Sequence, residues 1–229
     1  MLPDPLMAYA ARSGVTEPEL LQLAESRFNR EEAGNVFRRF LDAATAGSPF
    51  AMCICARSFR NGRGTEKSEQ SAFVWAEKAA QTGFAPGLFE LGECFEHGIG
   101  TPTDVDRAVK LYELAADAGF GFAAHRLGAG YYSGLFGTTD VPRAIAYMER
   151  ADQLGDAHGA ADLAEWYESG AKVPRDYVAA VRWYKRAAEL GDPFSSQRLQ
   201  MAHSQGELGL PRDAALAREY EKLFMEQTA

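Results

Sequence analysis

The sequence predicts an all-α fold, a right-handed α/α solenoid of stacked helix-turn-helix repeats with a period of 36 residues. Three observations carry that prediction. Gly47, Gly83, Gly119, Gly155 and Gly191 recur without an insertion or deletion, and Gly62, Gly98, Gly134, Gly170 and Gly206 keep the same interval. Between the two glycine series lies an apolar position, Cys55, Leu91, Leu127, Leu163 and Leu199. An aromatic ring follows it at Phe59, Phe95, Tyr131 and Tyr167 and gives way to His203; alanine recurs at Ala72, Ala108, Ala144 and Ala180 and becomes Leu216. Fixed spacing in several registers at once is the mark of stacked supersecondary units.

Residues 1–47 break the pattern and read as an N-terminal helical cap, a degenerate repeat. Thr16-Glu17-Pro18-Glu19 has the form of a capping box with an early helical proline, opening a helix to about Phe28. A second helix is expected from about Glu32 to Ala46, stopped by Gly47. Residues 48–191 form four regular repeats of two helices each. In the second of them, Leu88, Leu91 and Phe95 share a face of a helix from about Pro86 to Glu96. Gly98-Ile99-Gly100 ends that helix, because glycine tolerates the left-handed C-cap. The next starts near Asp104 and runs through Ala108, Leu111, Tyr112, Ala115 and Ala116 to Gly119. Ser68, Asp140 and Asp176 stand at the same N-cap position in neighbouring repeats, and each has a side-chain oxygen that can accept from free backbone amides. Small residues at Gly92, Gly128 and Ala164, and at Ala79, Ala115, Ala151 and Ala187, let paired helices approach. Residues 192–229 keep Leu199 and Gly206 but carry Gln227 in place of the closing glycine, so they read as a degenerate C-terminal capping repeat.

Composition narrows the function. Hydrophobic residues make up 46% and charged residues 24%, which is the balance of a folded chain. The net charge of -8 repels phosphate backbones and anionic lipid surfaces, so neither nucleic acid nor membrane is expected as a partner. The N-terminus has no basic region followed by an apolar run, and no stretch reaches the roughly 20 apolar residues of a spanning helix. A soluble cytoplasmic protein is the expectation. Cys53, Cys55 and Cys94 are an odd set, read as small buried thiols rather than a disulfide framework.

The unit resembles the Sel1-like repeat, a relative of the tetratricopeptide repeat. The best match is Leu163-Ala164-Glu165-Trp166-Tyr167-Glu168-Ser169-Gly170, continuing through Asp176, Ala180, Trp183-Tyr184, Ala187-Ala188 and Gly191. Residues 85–119 match nearly as well, and the likeness covers at least residues 48–191. Asp152 and Gln200 depart from the usual alanine and glycine. The resemblance implies a scaffold, since proteins of this kind are mostly adaptors and regulators and some are bacterial immunity proteins. A cysteine-rich branch is linked to β-lactam binding and hydrolysis, but it carries paired cysteines in each repeat and this chain does not.

Catalytic constellations are sparse. Gly62-Arg63-Gly64-Thr65-Glu66-Lys67 falls on the periodic turn and lacks phosphate-loop spacing; Gly128-Ala129-Gly130 lies inside a repeat helix. Ser169 and Lys172 give Ser-x-x-Lys without its companion motifs. Cys94 and His97 are two ligand types where a structural zinc needs four. No cofactor, metal or catalytic residue is expected.

By analogy with tetratricopeptide geometry, first helices line a concave face. That selects Phe50, Cys53, Arg57, Arg60 and Asn61, then Phe89, Glu93, Glu96 and His97. It continues with Phe122, His125, Ala129, Tyr132 and Ser133, then His158, Ala161, Glu165, Glu168 and Ser169, and finally Phe194, Gln197 and Met201. The partner site is expected at Phe89, Glu93, Glu96, His97, His125, Tyr132, Glu165 and Glu168, with Phe89 and Tyr132 as exposed anchors for a protein or peptide. Phe50, Phe122 and Phe194 suit inter-unit packing equally well. The chain thus reads as a non-catalytic adaptor or scaffold. A dedicated inhibitor covering an enzyme or toxin is the alternative, and a β-lactam-hydrolysing enzyme a remote one.

Overall fold

The computed structural model of the chain describes residues 4–12 and 30–228. The capping box at Thr16–Glu19 and its helix to Phe28 lie outside the described residues. Twelve helices and no strand occur among those described, so the fold is an all-α helical solenoid. They are α1 (Pro5–Arg12), α2 (Arg30–Thr45), α3 (Pro49–Asn61), α4 (Glu69–Gln81), α5 (Ala85–His97) and α6 (Val105–Asp117). The rest are α7 (Gly121–Ser133), α8 (Val141–Gln153), α9 (Ala157–Ser169), α10 (Tyr177–Glu189), α11 (Pro193–Gln205) and α12 (Ala214–Thr228). They form two compact units, Asp4–Ala123 and a second that begins at Ala124.

The helix ends follow local chemistry. Ser68, Asp104, Asp140 and Asp176 are the N-caps of α4, α6, α8 and α10, each accepting from an amide of the first turn. The backbone N–H of the same four residues donates to the carbonyl of Phe59, Phe95, Tyr131 and Tyr167, at 2.8–2.9 Å. This one bond ties each second helix to the aromatic position of its first helix, and Asp213 repeats it on His203 at 2.8 Å. The turn between them needs glycine twice. Gly98 caps α5 at φ 69°, and Gly100 follows at φ 67° with its backbone against the preceding pair. A Cβ on Gly100 would stand 2.4 Å from the Glu69 carbonyl oxygen.

The first unit's core centres on Leu6, Phe40, Phe50, Cys53, Cys55 and Ala79, with a smaller cluster around Ala56, Ala76 and Cys94. In the second, Ala164, Ala180, Tyr184, Leu199 and Ala202 pack with Tyr167, Trp183 and Tyr220. Leu127, Leu163 and Leu199 are fully buried as expected, while Leu91 is only half-buried. Ala79, Ala115, Ala151 and Ala187 are all at 0% exposure, which is the small-residue seam. Beside it, a Cβ on Gly92 would meet the Tyr112 ring at 2.6 Å, so glycine after the core leucine makes room for the aromatic of the partner helix.

Candidate functional site

The first helices carry the candidate face, and each unit presents its own part. In the first unit α3 and α5 are laced together by charge. Arg57 Nε donates to Glu90, Arg60 donates to Glu93 at 2.8 Å, and Arg60 lies 3.6 Å from the other oxygen of Glu90. Glu90 is almost fully buried; burial pushes its carboxyl upward and the two arginines oppose that. Arg57 Nη1 also donates to both carboxylate oxygens of Asp4, at 2.9 Å.

That last contact comes from the residue just before α1, which sits on this face. Leu6 and Ala10 are buried with Phe50 and Cys53, and Tyr9 meets Phe84 and Phe120 edge-on at 5.6 Å. The Tyr9 hydroxyl donates to the Ala118 carbonyl at 3.3 Å.

Four expected site residues lie on α5. Phe89 is not exposed: at 2% it is core, packed against Tyr112, Phe120 and Phe122 with ring centroids 5.1–5.4 Å apart. Glu96 is buried as well and accepts from the Tyr112 hydroxyl at 2.7 Å. Both correct the expectation of an open surface there, because stacked first helices and the Tyr112 ring close over these positions. Glu93 is half-buried in its pair with Arg60, and His97 alone of the four is exposed, 3.5 Å from Glu96. Phe50 and Cys53 on α3 are likewise core.

In the second unit, His125 and Tyr132 lie on α7, and Glu165 and Glu168 on α9. His125 Nε2 is 3.0 Å from Asp162, and its ring is 5.3 Å from that of His158. Tyr132 is half-buried, stacked on Trp166 at 3.8 Å with the Lys172 ammonium 4.4 Å from its ring centre. Glu168 accepts from the Tyr184 hydroxyl at 2.6 Å and from Arg198 at 2.7 Å. Its burial works against ionisation, but these two donors outweigh it and hold the carboxyl low. Glu165 is exposed and makes no hydrogen bond or ion pair among the described residues.

Of these four expected residues only Glu165 lines a recess of ≈ 360 Å³ between α9 and α11, with Asp162, Asp192, Phe194, Arg198 and Met201 also on its walls. Glu90, Asp162 and Arg198 are absent from the sequence-derived set, although they occupy one repeat position, the residue before each core leucine. A charged residue recurs there, at Glu90, Arg126, Asp162 and Arg198, and that recurrence was the available signal; Glu90, Asp162 and Arg198 each pair with a residue of the preceding repeat.

The sequence pair Ser169 and Lys172 does not meet. The serine hydroxyl donates to the Trp166 carbonyl at 3.3 Å, and the lysine ammonium to the Tyr132 carbonyl. Cys53, Cys55 and Cys94 are free and buried, and burial lifts the Cys55 and Cys94 thiols to about 12. Among the described residues no group of three or more histidine, cysteine or acidic side chains could hold a metal ion. No helix there is long and apolar enough to cross a membrane.

Several solved structures share this fold. A Sel1 repeat protein from Oxalobacter formigenes is 26% identical, with a TM-score of 0.72 over 97% of this chain and 88% of that one. The c5321 protective antigen of uropathogenic Escherichia coli, which displays an SLR fold, is 25% identical; all of this chain aligns with 50% of its length at a TM-score of 0.67. The immunity protein Pa5087 from Pseudomonas aeruginosa, at 21% identity and a TM-score of 0.68 over 99% of this chain and 84% of that one, shares the fold. No curated protein matches the chain. The Sel1 repeat profile matches residues 49–84, 85–120, 121–156 and 157–192 in unbroken succession and 199–220 beyond them, so the chain belongs to the Sel1 repeat family.

Proposed function

We propose that the chain is a non-catalytic protein-interaction module that holds a partner protein or peptide against its first helices. Sel1 repeats are protein-interaction repeats. The observation that carries the reading is α1: the first unit already has a short helix seated on this face, with buried Leu6 and Ala10 and an ion pair from Asp4 to Arg57. A face that accommodates one amphipathic segment has the shape and chemistry to accommodate another. In the second unit the same face is open around Glu165 and Phe194, and we place the partner there, with Tyr132, Glu168 and His125 as flanking contacts. A reducing compartment such as the cytoplasm fits three buried free thiols.

The test begins with affinity capture from native lysate to obtain the partner, followed by calorimetry on variants. Glu165→Ala and Phe194→Ala are expected to weaken binding by about 1–4 kcal/mol if they anchor the partner. Normal binding by both, with loss on substitution of Leu114 or Val178 on the second helices, would move the partner to the other face. One very tight partner would mark a dedicated inhibitor, and several weaker ones an adaptor. Nitrocefin left intact by the purified chain is the expected result for a non-catalytic protein.

A further inference from the structure

The seat of α1 in the first unit has a counterpart in the second whose charge is reversed. Arg57, which receives Asp4, stands three repeats before Glu165, and Phe50 and Cys53 stand three repeats before His158 and Ala161. These later positions line the recess between α9 and α11. Of its carboxylates, Asp162 is engaged by His125 at 3.0 Å, and Asp192 caps the Ser195 amide at 2.7 Å. Glu165 has no such partner among the described residues. Arg198, at the edge, does not supply one, since Glu168 and Glu207 each hold it at 2.7 Å. Partial burial, together with Asp162, Asp192 and Glu168 nearby, pushes the Glu165 carboxyl upward.

Two further features point to an occupant. Phe194 is 74% exposed and Met201 40%, giving an apolar wall next to the carboxylates. Ser195, which also lines the recess, is 1% exposed with its hydroxyl lacking a hydrogen-bond partner. We propose that this recess docks a basic side chain, an arginine or lysine next to an apolar residue, presented by a segment of a partner protein. The cation meets Glu165 as Asp4 meets Arg57, with the sign exchanged. Its aliphatic stem lies along Phe194 and Met201, and a guanidinium can stack on the Phe194 ring. A second copy of this chain is a poor occupant, because its α1 would bring Asp4 against Glu165. The inference rests on the reading that partners use the first-helix face.

The probe is a phage-displayed library of random twelve-residue peptides, panned at low salt on the intact chain and on variants whose helicity matches it. Binders to the parent chain are expected to be enriched in arginine or lysine beside an apolar residue. Their affinity should fall about tenfold or more on Glu165→Arg and on Phe194→Ala, and weaken as salt is raised. Glu149→Arg on α8 makes the same change in net charge away from the recess and should leave binding within about twofold. Panning on Glu165→Arg should lose the basic preference. The proposal is overturned if peptides from the parent chain lack basic residues, if basic peptides respond equally to Glu165→Arg and Glu149→Arg, or if nothing is recovered above a Glu165→Arg, Phe194→Ala double variant. Amide-shift mapping separates this failure from that of the broader reading. Peptides without basic residues that perturb α9 and α11 refute only the basic occupant, whereas peptides that perturb Val178 and its helix refute the first-helix face itself.

Discussion

Phe89 and its counterparts His125 and Ala161 share no chemistry, and variation at a periodic position reads as exposure. The side chains show why that inference fails. Each gap between stacked first helices is filled by a different local set, with Phe89 joined by Tyr112, Phe120 and Phe122, and His125 joined by His158 and Asp162. Packing constrains the sum of neighbours rather than any one residue. Phe89→Ala is therefore expected to act on stability, with a loss of about 3–5 kcal/mol in chemical denaturation, alongside about 2–5 kcal/mol for Leu127→Ala and for Leu163→Ala. Unchanged midpoints for all three would show that the buried faces are misassigned. The core leucines were legible because stacking demands an apolar residue at that position in every repeat. The charge pairs of Glu90, Asp162 and Arg198 were not, because a charged residue beside a core leucine looks like solvent-facing surface until its partner from the preceding repeat is in place.

Helix boundaries were the most legible elements. The pattern from Pro86 to Glu96 corresponds to α5 (Ala85–His97), and the expected N-caps Ser68, Asp104, Asp140 and Asp176 all cap helices. The segment that became α1 gave no such signal. Its 8 residues are too few for a periodic face, and a helix that short owes its stability to the surface it packs on. The turn glycines offer a graded test. Gly119 has φ +89° but nothing within 4 Å of an added Cβ, whereas Gly100 combines φ +67° with a contact at 2.4 Å to backbone. Gly119→Ala should cost about 1 kcal/mol of backbone strain, and Gly100→Ala clearly more, read from thermal melts. Equal costs would mean that the turn at Gly100 yields. The start of α9 adds a pH dependence. The hydrogen bond that the His158 ring donates to the Asp156 carboxylate raises the imidazole above its usual 6.5, with burial opposing and Asp162 and Asp192 adding to it. A group raised in the folded state stabilises fully below its unfolded value and loses that contribution as pH climbs through the folded one. Stability should thus fall by about 0.5 kcal/mol as pH rises past 6.5, a small figure because His158 is partly solvated. His158→Gln should flatten that part of the profile; an unchanged slope would remove the pair as its source.

At the scale of the whole molecule, an invariant repeat length implies that repeats are interchangeable, and the joints between them decide whether that holds. Removing residues 157–192 joins Asp156 to Pro193, one capping aspartate to the helix of another: Asp156 caps α9 through the His158 amide at 2.9 Å, and Asp192 caps α11 through the Ser195 amide at 2.7 Å. In the shortened chain α11 would lie against α8 in place of α9. The difference falls on one residue. Gly159 packs so closely that a Cβ there would be 2.6 Å from the Met148 carbonyl oxygen and 2.7 Å from the Ala151 Cβ, and α11 carries Ser195 at that position. The shortened chain should remain helical by far-UV dichroism but melt below the parent, since it loses both the Trp166 stack on Tyr132 and the Glu168–Arg198 pair. Adding Ser195→Gly should raise its melting temperature by relieving the clash. In the full chain the same substitution removes no clash and costs helix propensity, so it should change stability by no more than about 0.5 kcal/mol. A Ser195→Gly effect of the same sign and size in both backgrounds would show that the joint adjusts by moving backbone, and that the 36-residue spacing preserves register without preserving the fit between neighbouring helices.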